Sequence, residues 1–238
     1  MKKLFLILVL FKVLVLPVFG QKMVEHKTYT WVSINSSLFI NKHFYIQADA
    51  HLRENNVFTS TSFLFARLGL GYQVDNQLSF SVGYANLLLS PTKTGWSTLA
   101  DEERIFEQVQ LTTEYRKVKI LQRIRNEQRW RDIIVNDAKT GERKFNNRLR
   151  YLLSANIPIF KNKKLPQLSI ADELAVQFGK DVIYNTFEQN RIFIGVKQKI
   201  THSLSFDAGY MNVFQQKSSI NSYENASVIR LFFYYTLK

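Results

Sequence analysis

There is no cysteine among the 238 residues. That excludes a disulfide framework and a lipid-bearing cysteine behind an export signal. Proline occurs four times and glycine nine times, so the turns cannot be made mainly from those two residues. After residue 20 no apolar run approaches the roughly 20 residues of a membrane-spanning helix. Histidine is scarce: His26, His43, His51 and His202. No glycine-rich phosphate loop, metal-ligand cluster or serine-nucleophile signature stands out. What is abundant is aromatic and basic. Phenylalanine and tyrosine number 19 and 11, and the formal net charge is +13.

The chain opens MKKLFLILVLFKVLVLPVFG. A positive n-region at Lys2 and Lys3, an apolar stretch and Val18-Phe19-Gly20 read as a secretory signal peptide cut after Gly20. Lys12 and Pro17 interrupt the apolar run and argue against a membrane anchor. The expected division is a signal peptide over 1–20 and one domain over 21–238. Cleavage removes three lysines and no acid, so the exported domain stays strongly basic. It carries no recognisable nucleic-acid module. Anionic lipid or polysaccharide is the neighbour its charge fits.

Period-two alternation decides between helix and strand. In LQRIRNEQRWRDII (121–134), Arg123, Arg125, Glu127, Arg129 and Arg131 recur at every second position. A helix would scatter them around its circumference, whereas a strand puts all five on one face. In HFYIQADAHLR, Phe44, Ile46, Ala48, Ala50 and Leu52 oppose His43, Tyr45, Gln47, Asp49, His51 and Arg53. Eleven such segments follow: 28–40, 43–54, 59–74, 77–90, 104–117, 119–133, 144–159, 166–178, 187–200, 203–216 and 225–237. Most exceed the 5 to 6 residues usual in soluble strands. Long strands with one apolar and one polar face are the pattern of an outer-membrane barrel. Short connections near 41–42, 75–76, 117–118, 161–164 and 201–202 alternate with longer ones near 54–58, 91–103, 134–143, 179–186 and 217–224. That is the asymmetry of periplasmic turns and outer loops.

The expectation is an all-β, antiparallel transmembrane β-barrel. Eleven segments conflict with antiparallel closure, which wants an even count, so 10 or 12 strands are expected, with one segment misread. Residues 21–27 would cross the lumen or belong to another strand. Asp172 falls on the apolar side of 166–178, and a bulge there would bring it inside. LSFSVGYAN (78–86) echoes LSFDAGYMN (204–212). Upstream, Arg67 and Gly71 match Arg191 and Gly195 after a two-residue offset. Either a hairpin was duplicated or barrel composition repeats itself. At the C-terminus Ile229, Leu231, Phe233, Tyr235 and Leu237 alternate. The stretch 229–237 resembles the strand recognised by the barrel insertion machinery, but it ends in Lys238 instead of an aromatic residue.

The inward face then carries Asp49, Arg53, Arg67, Glu114, Arg116, the stripe Arg123, Arg125, Glu127, Arg129 and Arg131, and also Arg148, Arg150, Glu173, Arg191, Lys197, Asp207 and Arg230. Counting back from a loop at 134–143 sets Glu127 opposite Arg150 and Arg129 opposite Arg148. Two uses of these charges stay open. One is a salt-bridge lattice bracing the wall, which arginine's planar fork suits. The other is an anion-selective constriction. His51 with Asp49 is the single histidine–carboxylate pair on a strand face, and the weak candidate for catalysis at the outer rim. No metal site and no cofactor is expected.

The Trp31-bearing first strand, HFYIQADAHLR, LQRIRNEQRW, NRLRY and QNRIFIGVKQKITHSLSFDAGYMN together resemble a bacterial family catalogued as domain of unknown function 2490. It is an exported outer-membrane family of Bacteroidota-type Gram-negative bacteria. The resemblance spans nearly all of residues 21–238. It implies a β-barrel in the outer membrane and transfers no activity or catalytic residue. The expected protein is a monomeric outer-membrane barrel surrounded by lipid, structural or porin-like, with an Arg-rich lumen for small polar or anionic solutes. Alternatives are a barrel hydrolase using Asp49 and His51, and a soluble periplasmic β-sandwich.

Overall fold

The computed structural model describes residues 22–55, 60–91, 93–162 and 165–237, so the signal peptide expected over 1–20 lies outside the described residues. Eleven strands form one closed barrel. They are β1 (Met23–Phe39), β2 (Phe44–Asn55), β3 (Ser60–Gln73), β4 (Leu78–Leu89), β5 (Ala100–Tyr115), β6 (Val118–Val135), β7 (Ala138–Pro158), β8 (Gln167–Phe178), β9 (Phe187–Lys199), β10 (Leu204–Gln216) and β11 (Ser222–Leu237). All eleven period-two segments are strands.

The barrel is mixed, not antiparallel, and no segment was misread. Every sequential pair is antiparallel, but β1 and β11 close the ring in parallel, from Met23 opposite Ser222 to Leu38 opposite Leu237. An odd number of up-and-down strands leaves the first and last running the same way, and a parallel ladder joins them. Residues Met23–Lys27 neither cross the lumen nor join another strand. They lengthen β1 itself along β11.

The short turns explain how so few glycines and prolines suffice. Asn41 Oδ1 accepts the N–H groups of His43 and Phe44 at 2.9 and 2.8 Å. Asp75 Oδ1 does the same for Gln77 and Leu78 at 2.7 and 2.8 Å, and Thr201 Oγ1 for Ser203 and Leu204. A side-chain oxygen that takes two backbone donors replaces the turn's missing hydrogen bonds.

The opposite end differs from expectation at 134–143. There β6 and β7 continue as one long hairpin to a two-residue turn, Asn136-Asp137, with φ of 50° and 58°. Both residue types tolerate the left-handed region that such a tight hairpin requires. The turn lies ahead of the expected loop centre, and the ladder skips a residue between Asp132 and Ile134. The register therefore shifts by two: Arg125 faces Arg150, Glu127 faces Arg148 and Arg129 faces Asn146.

Asp137 also clasps the neighbouring loop. Its carboxylate accepts the backbone N–H of Thr98 at 2.7 Å and of Ser97 at 3.0 Å. These donors, Thr98 first, hold the Asp137 carboxyl below its ordinary value. A depressed carboxylate pKa means the clasp is present above the ordinary aspartate range and is lost as pH falls through the depressed value. Asp137→Ala is expected to speed amide exchange at Ser97 and Thr98 several-fold at neutral pH. The difference from the parent protein should vanish at acid pH.

Side chains sort by face as the alternation requires. Leu70, Val82, Ile105, Ile124, Leu153 and Ile194, from six strands, all stand exposed on the outside. Inside, Trp31, Phe193, Met211, Val213, Ala226 and Val228 form an apolar cluster on the β9, β10, β11 and β1 wall. Tyr45, Leu87 and Phe106 are buried elsewhere on the inner face, and most of the other buried side chains are polar or charged. Asp172 stays on the outer face, exposed, and accepts a 2.5 Å hydrogen bond from Asn190 Nδ2. No bulge turns it inward. The bulge lies further along, where Ala175 faces Gln189 and Val176 faces Phe187. The residue it inserts is Glu188, which is buried beside Gln189.

The two echoing hairpins align more simply than their sequences. Gly69 faces Gly83 and Gly195 faces Gly209, at one constant offset along the chain. Gly69, not Gly71, is thus the counterpart of Gly195, and the two-residue offset disappears. Phe106 lies against the first pair and Phe193 beside Gly195 in the second.

Candidate functional site

The lumen is crossed by a lattice of arginine and glutamate from β5 to β9. Its centre is Glu127, which takes Arg148 Nε on Oε2 at 2.7 Å and Arg150 Nη1 on Oε1 at 3.0 Å. Arg104 and Arg125 stand 3.6 and 3.7 Å from it. Arg150 also donates to Glu173 at 2.5 Å, and Glu173 accepts Arg123 at 2.5 Å and Arg191 at 3.2 Å. On the other side Arg148 reaches Glu188 at 3.1 Å. Glu188 accepts Arg129 at 2.6 Å, and Arg129 donates as well to Gln177 and Asn146. Arg104 pairs with Glu102 at 2.5 Å. Strand alternation places these groups in register, and long forked side chains bridge the remaining distance.

Nearly all the residues expected to form a lumen charge set are brought together. Arg123, Arg125, Glu127, Arg129, Arg148, Arg150, Glu173 and Arg191 belong to the lattice. Arg125 spends its fork on Gln108, with Nε 2.9 Å from Oε1. Arg67 is paired separately, with Asp49. Arg230 pairs with Asp207 at 2.8 Å, and Tyr234 donates to the same carboxylate. Arg131 ends the stripe exposed, with no carboxylate within 4 Å among the described residues. Glu114 and Arg116 do not join the lumen set: both are exposed beside the β5–β6 turn, where Arg116 takes a φ of 58°.

Three members escaped the sequence reading. Glu102 lies before position 104, where that strand was taken to begin, although Glu102, Arg104, Phe106 and Gln108 keep the same period. Arg104 lay at the boundary. Glu188 breaks the period, because the bulge adds it to the inward face next to Gln189.

Asp49 and His51 both face the lumen but do not form a hydrogen-bonded pair. Asp49 Oδ2 is taken by Arg67, with Gln47 Nε2 at 3.3 Å. The His51 ring meets Phe65 and Phe232 edge-on, with centroids 4.8 and 5.7 Å away. Its Nε2 has no partner. Among the described residues no three His, Asp or Glu gather as a metal site would need.

Above the lattice, at the end carrying the longer connections, lies a cavity of about 1310 Å³. Its floor includes Glu102, Arg129, Gln177 and Glu188, and Arg131 and Lys144 face each other across β6 and β7 on its wall. On the far wall Lys27 and Lys217 both contact Glu224, at 3.6 and 3.3 Å. Tyr29 donates to the same carboxylate at 3.0 Å.

A family model described as Protein of unknown function (DUF2490) matches residues 28–224. The chain belongs to the DUF2490 family. The matched span runs from β1 into the start of β11 and contains the whole lattice. No curated protein matches the chain, and no solved structure matches it. The DUF2490 description assigns no activity, so function has to be argued from the barrel's two faces.

Proposed function

We propose that this DUF2490 member is an outer-membrane β-barrel whose lumen admits small polar or anionic solutes to a narrow, arginine-rich constriction. The observation that carries the reading is the division of charge between the faces. The outside presents exposed aliphatic and aromatic side chains on strand after strand. Exposed apolar area of that extent is unusual on a monomer in water and suits contact with lipid. Inside, seven lattice arginines meet four carboxylates, Glu102, Glu127, Glu173 and Glu188. The carboxylates brace the wall, and the surplus leaves the passage positive. A positive, narrow passage favours anions. In this reading the protein works as a monomer, and residues 229–237 engage the insertion machinery.

The protein should fractionate with outer membranes and run as a heat-modifiable band. In planar bilayers it should conduct weakly, with an anion preference. Arg125→Ala with Arg129→Ala should lower that preference. A unit charge at contact is worth about 1 kcal/mol even in water, about fivefold in local anion occupancy. A freely soluble periplasmic protein would defeat the membrane reading. Unchanged selectivity in the double variant would leave the lattice a brace alone.

A further inference from the structure

Arg53 stands apart from the other lumen arginines. The cross-strand register puts Trp31 on one side of it and Phe63 on the other. Its guanidinium carbon lies 3.4 Å from the Trp31 ring centroid and 4.0 Å from that of Phe63. The two rings clamp the guanidinium through cation–π contact. No carboxylate lies within 4 Å of it and none of its N–H groups has an acceptor among the described residues. Every lattice arginine touches a carboxylate, as do Arg67 and Arg230. Arg131 also lacks one, but it is exposed, whereas Arg53 is partly buried.

The surroundings deepen the contrast. A second arginine shares the Trp31 face of the clamp: Arg191 lies 5.1 Å from the ring centroid. The buried indole N–H of Trp31 is a second donor without an acceptor. A partly buried cation beside another cation, with its donors unused by the protein, is better satisfied when an anion completes it. Ring stacking fixes the guanidinium plane and leaves its edge free. That edge offers paired, coplanar N–H donors, which match two oxygens of one oxyanion.

We propose that Arg53, clamped by Trp31 and Phe63, is the core of a lumenal binding site for a small oxyanion, a carboxylate or a phosphate. The proposal rests on the reading that anionic solutes reach the lumen, and names where one is held. The test uses the full protein in detergent with Trp96→Phe and Trp130→Phe, so that Trp31 is its sole tryptophan. Acetate and inorganic phosphate are titrated at constant ionic strength against chloride. One or both oxyanions should give a saturable change in Trp31 emission, and chloride none. Whichever responds identifies the source of the chemistry. Arg53→Gln should weaken the response at least about tenfold, the scale of losing one charge-assisted pair. Arg53→Lys keeps the charge but loses the planar edge and should weaken it as well, which covers a failure of the first variant to fold. Arg116→Gln, exposed beside the β5–β6 turn and outside the lumen set, should leave it unchanged.

No saturable response to either oxyanion overturns the proposal, and so does an undiminished response in folded Arg53→Gln or Arg53→Lys. The bilayer measurement separates this from the pore reading. Anion-biased current without a Trp31 response sinks the site and keeps the pore. A saturable, Arg53-dependent response in a protein that passes no current keeps the site and sinks the pore.

Discussion

Glu127→Ala is expected to destabilise the barrel more than any other single charge removal in the lumen. Glu127 is 3% exposed and binds Arg148 and Arg150, with Arg104 and Arg125 within 4 Å. Deleting it removes hydrogen bonds and leaves four guanidinium groups facing one another in a buried space. Removing one partner of a buried ion pair costs about 3–5 kcal/mol, because the remaining charge is uncompensated. Here the remaining charges also repel. Glu127→Gln keeps an acceptor oxygen and should cost less than Glu127→Ala. Arg123→Gln should cost least, since Glu173 retains Arg150 and Arg191. Urea titration of the refolded protein in detergent, read by the heat-modifiable band, gives the order. If Glu127→Ala proves no worse than Arg123→Gln, the lattice is not centred on Glu127.

The second large effect belongs to the glycine pairs. A Cβ on Gly83 would press on the Leu68 carbonyl oxygen, 2.5 Å from the Gly69 Cα and 2.7 Å from the Phe106 ring. The obstacle is mainly backbone, and backbone in a closed ladder cannot retreat. Gly83→Ala should cost at least the roughly 1–3 kcal/mol of ordinary overpacking, and Gly83→Val should prevent assembly. Gly71 is different. What a Cβ meets there is the Tyr45 ring, a side chain laid over the glycine. A double-mutant cycle separates the two causes. Tyr45→Leu should rescue Gly71→Ala, while Phe106→Leu should leave the cost of Gly83→Ala undiminished, because backbone remains in the way. The measurement is the fraction of each variant that refolds in detergent micelles.

These predictions draw on features of uneven visibility in the sequence. The strands and their faces were readable because alternation is a local property. One face of each strand meets the packed lumen, so every second residue reports its surroundings. The inward facing of the stripe Arg123 to Arg129, and of Arg148 and Arg150, follows from that alone. The pairing across strands was not readable. It depends on whether a connection is a loop or a tight turn, and Asn136-Asp137 makes a hairpin tip where a polar loop was expected. Glu188 depends on a bulge, which interrupts the signal used to read everything else. The parallel closure follows from strand parity, and no local pattern in β1 or β11 distinguishes a parallel neighbour from an antiparallel one. Arg53 was placed inside correctly. Its lack of a carboxylate could be learned only from the contacts around it.

The closing seam also governs how the barrel must assemble. Ten of its ladders join neighbours in sequence and can grow hairpin by hairpin. The remaining ladder joins β1 to β11, where Tyr29 meets Glu224 across 195 residues. Long-range closure carries the largest chain-entropy cost and yields its contacts last. Until β11 arrives the chain is an open sheet with two bare edges, one of them β1, and bare edges invite pairing with other chains. The tie between Tyr29 and Glu224 sits at this final joint, whereas the clamp of Trp31 and Phe63 on Arg53 joins β1, β2 and β3. The clamp can therefore form with the first hairpins, before the cylinder is finished.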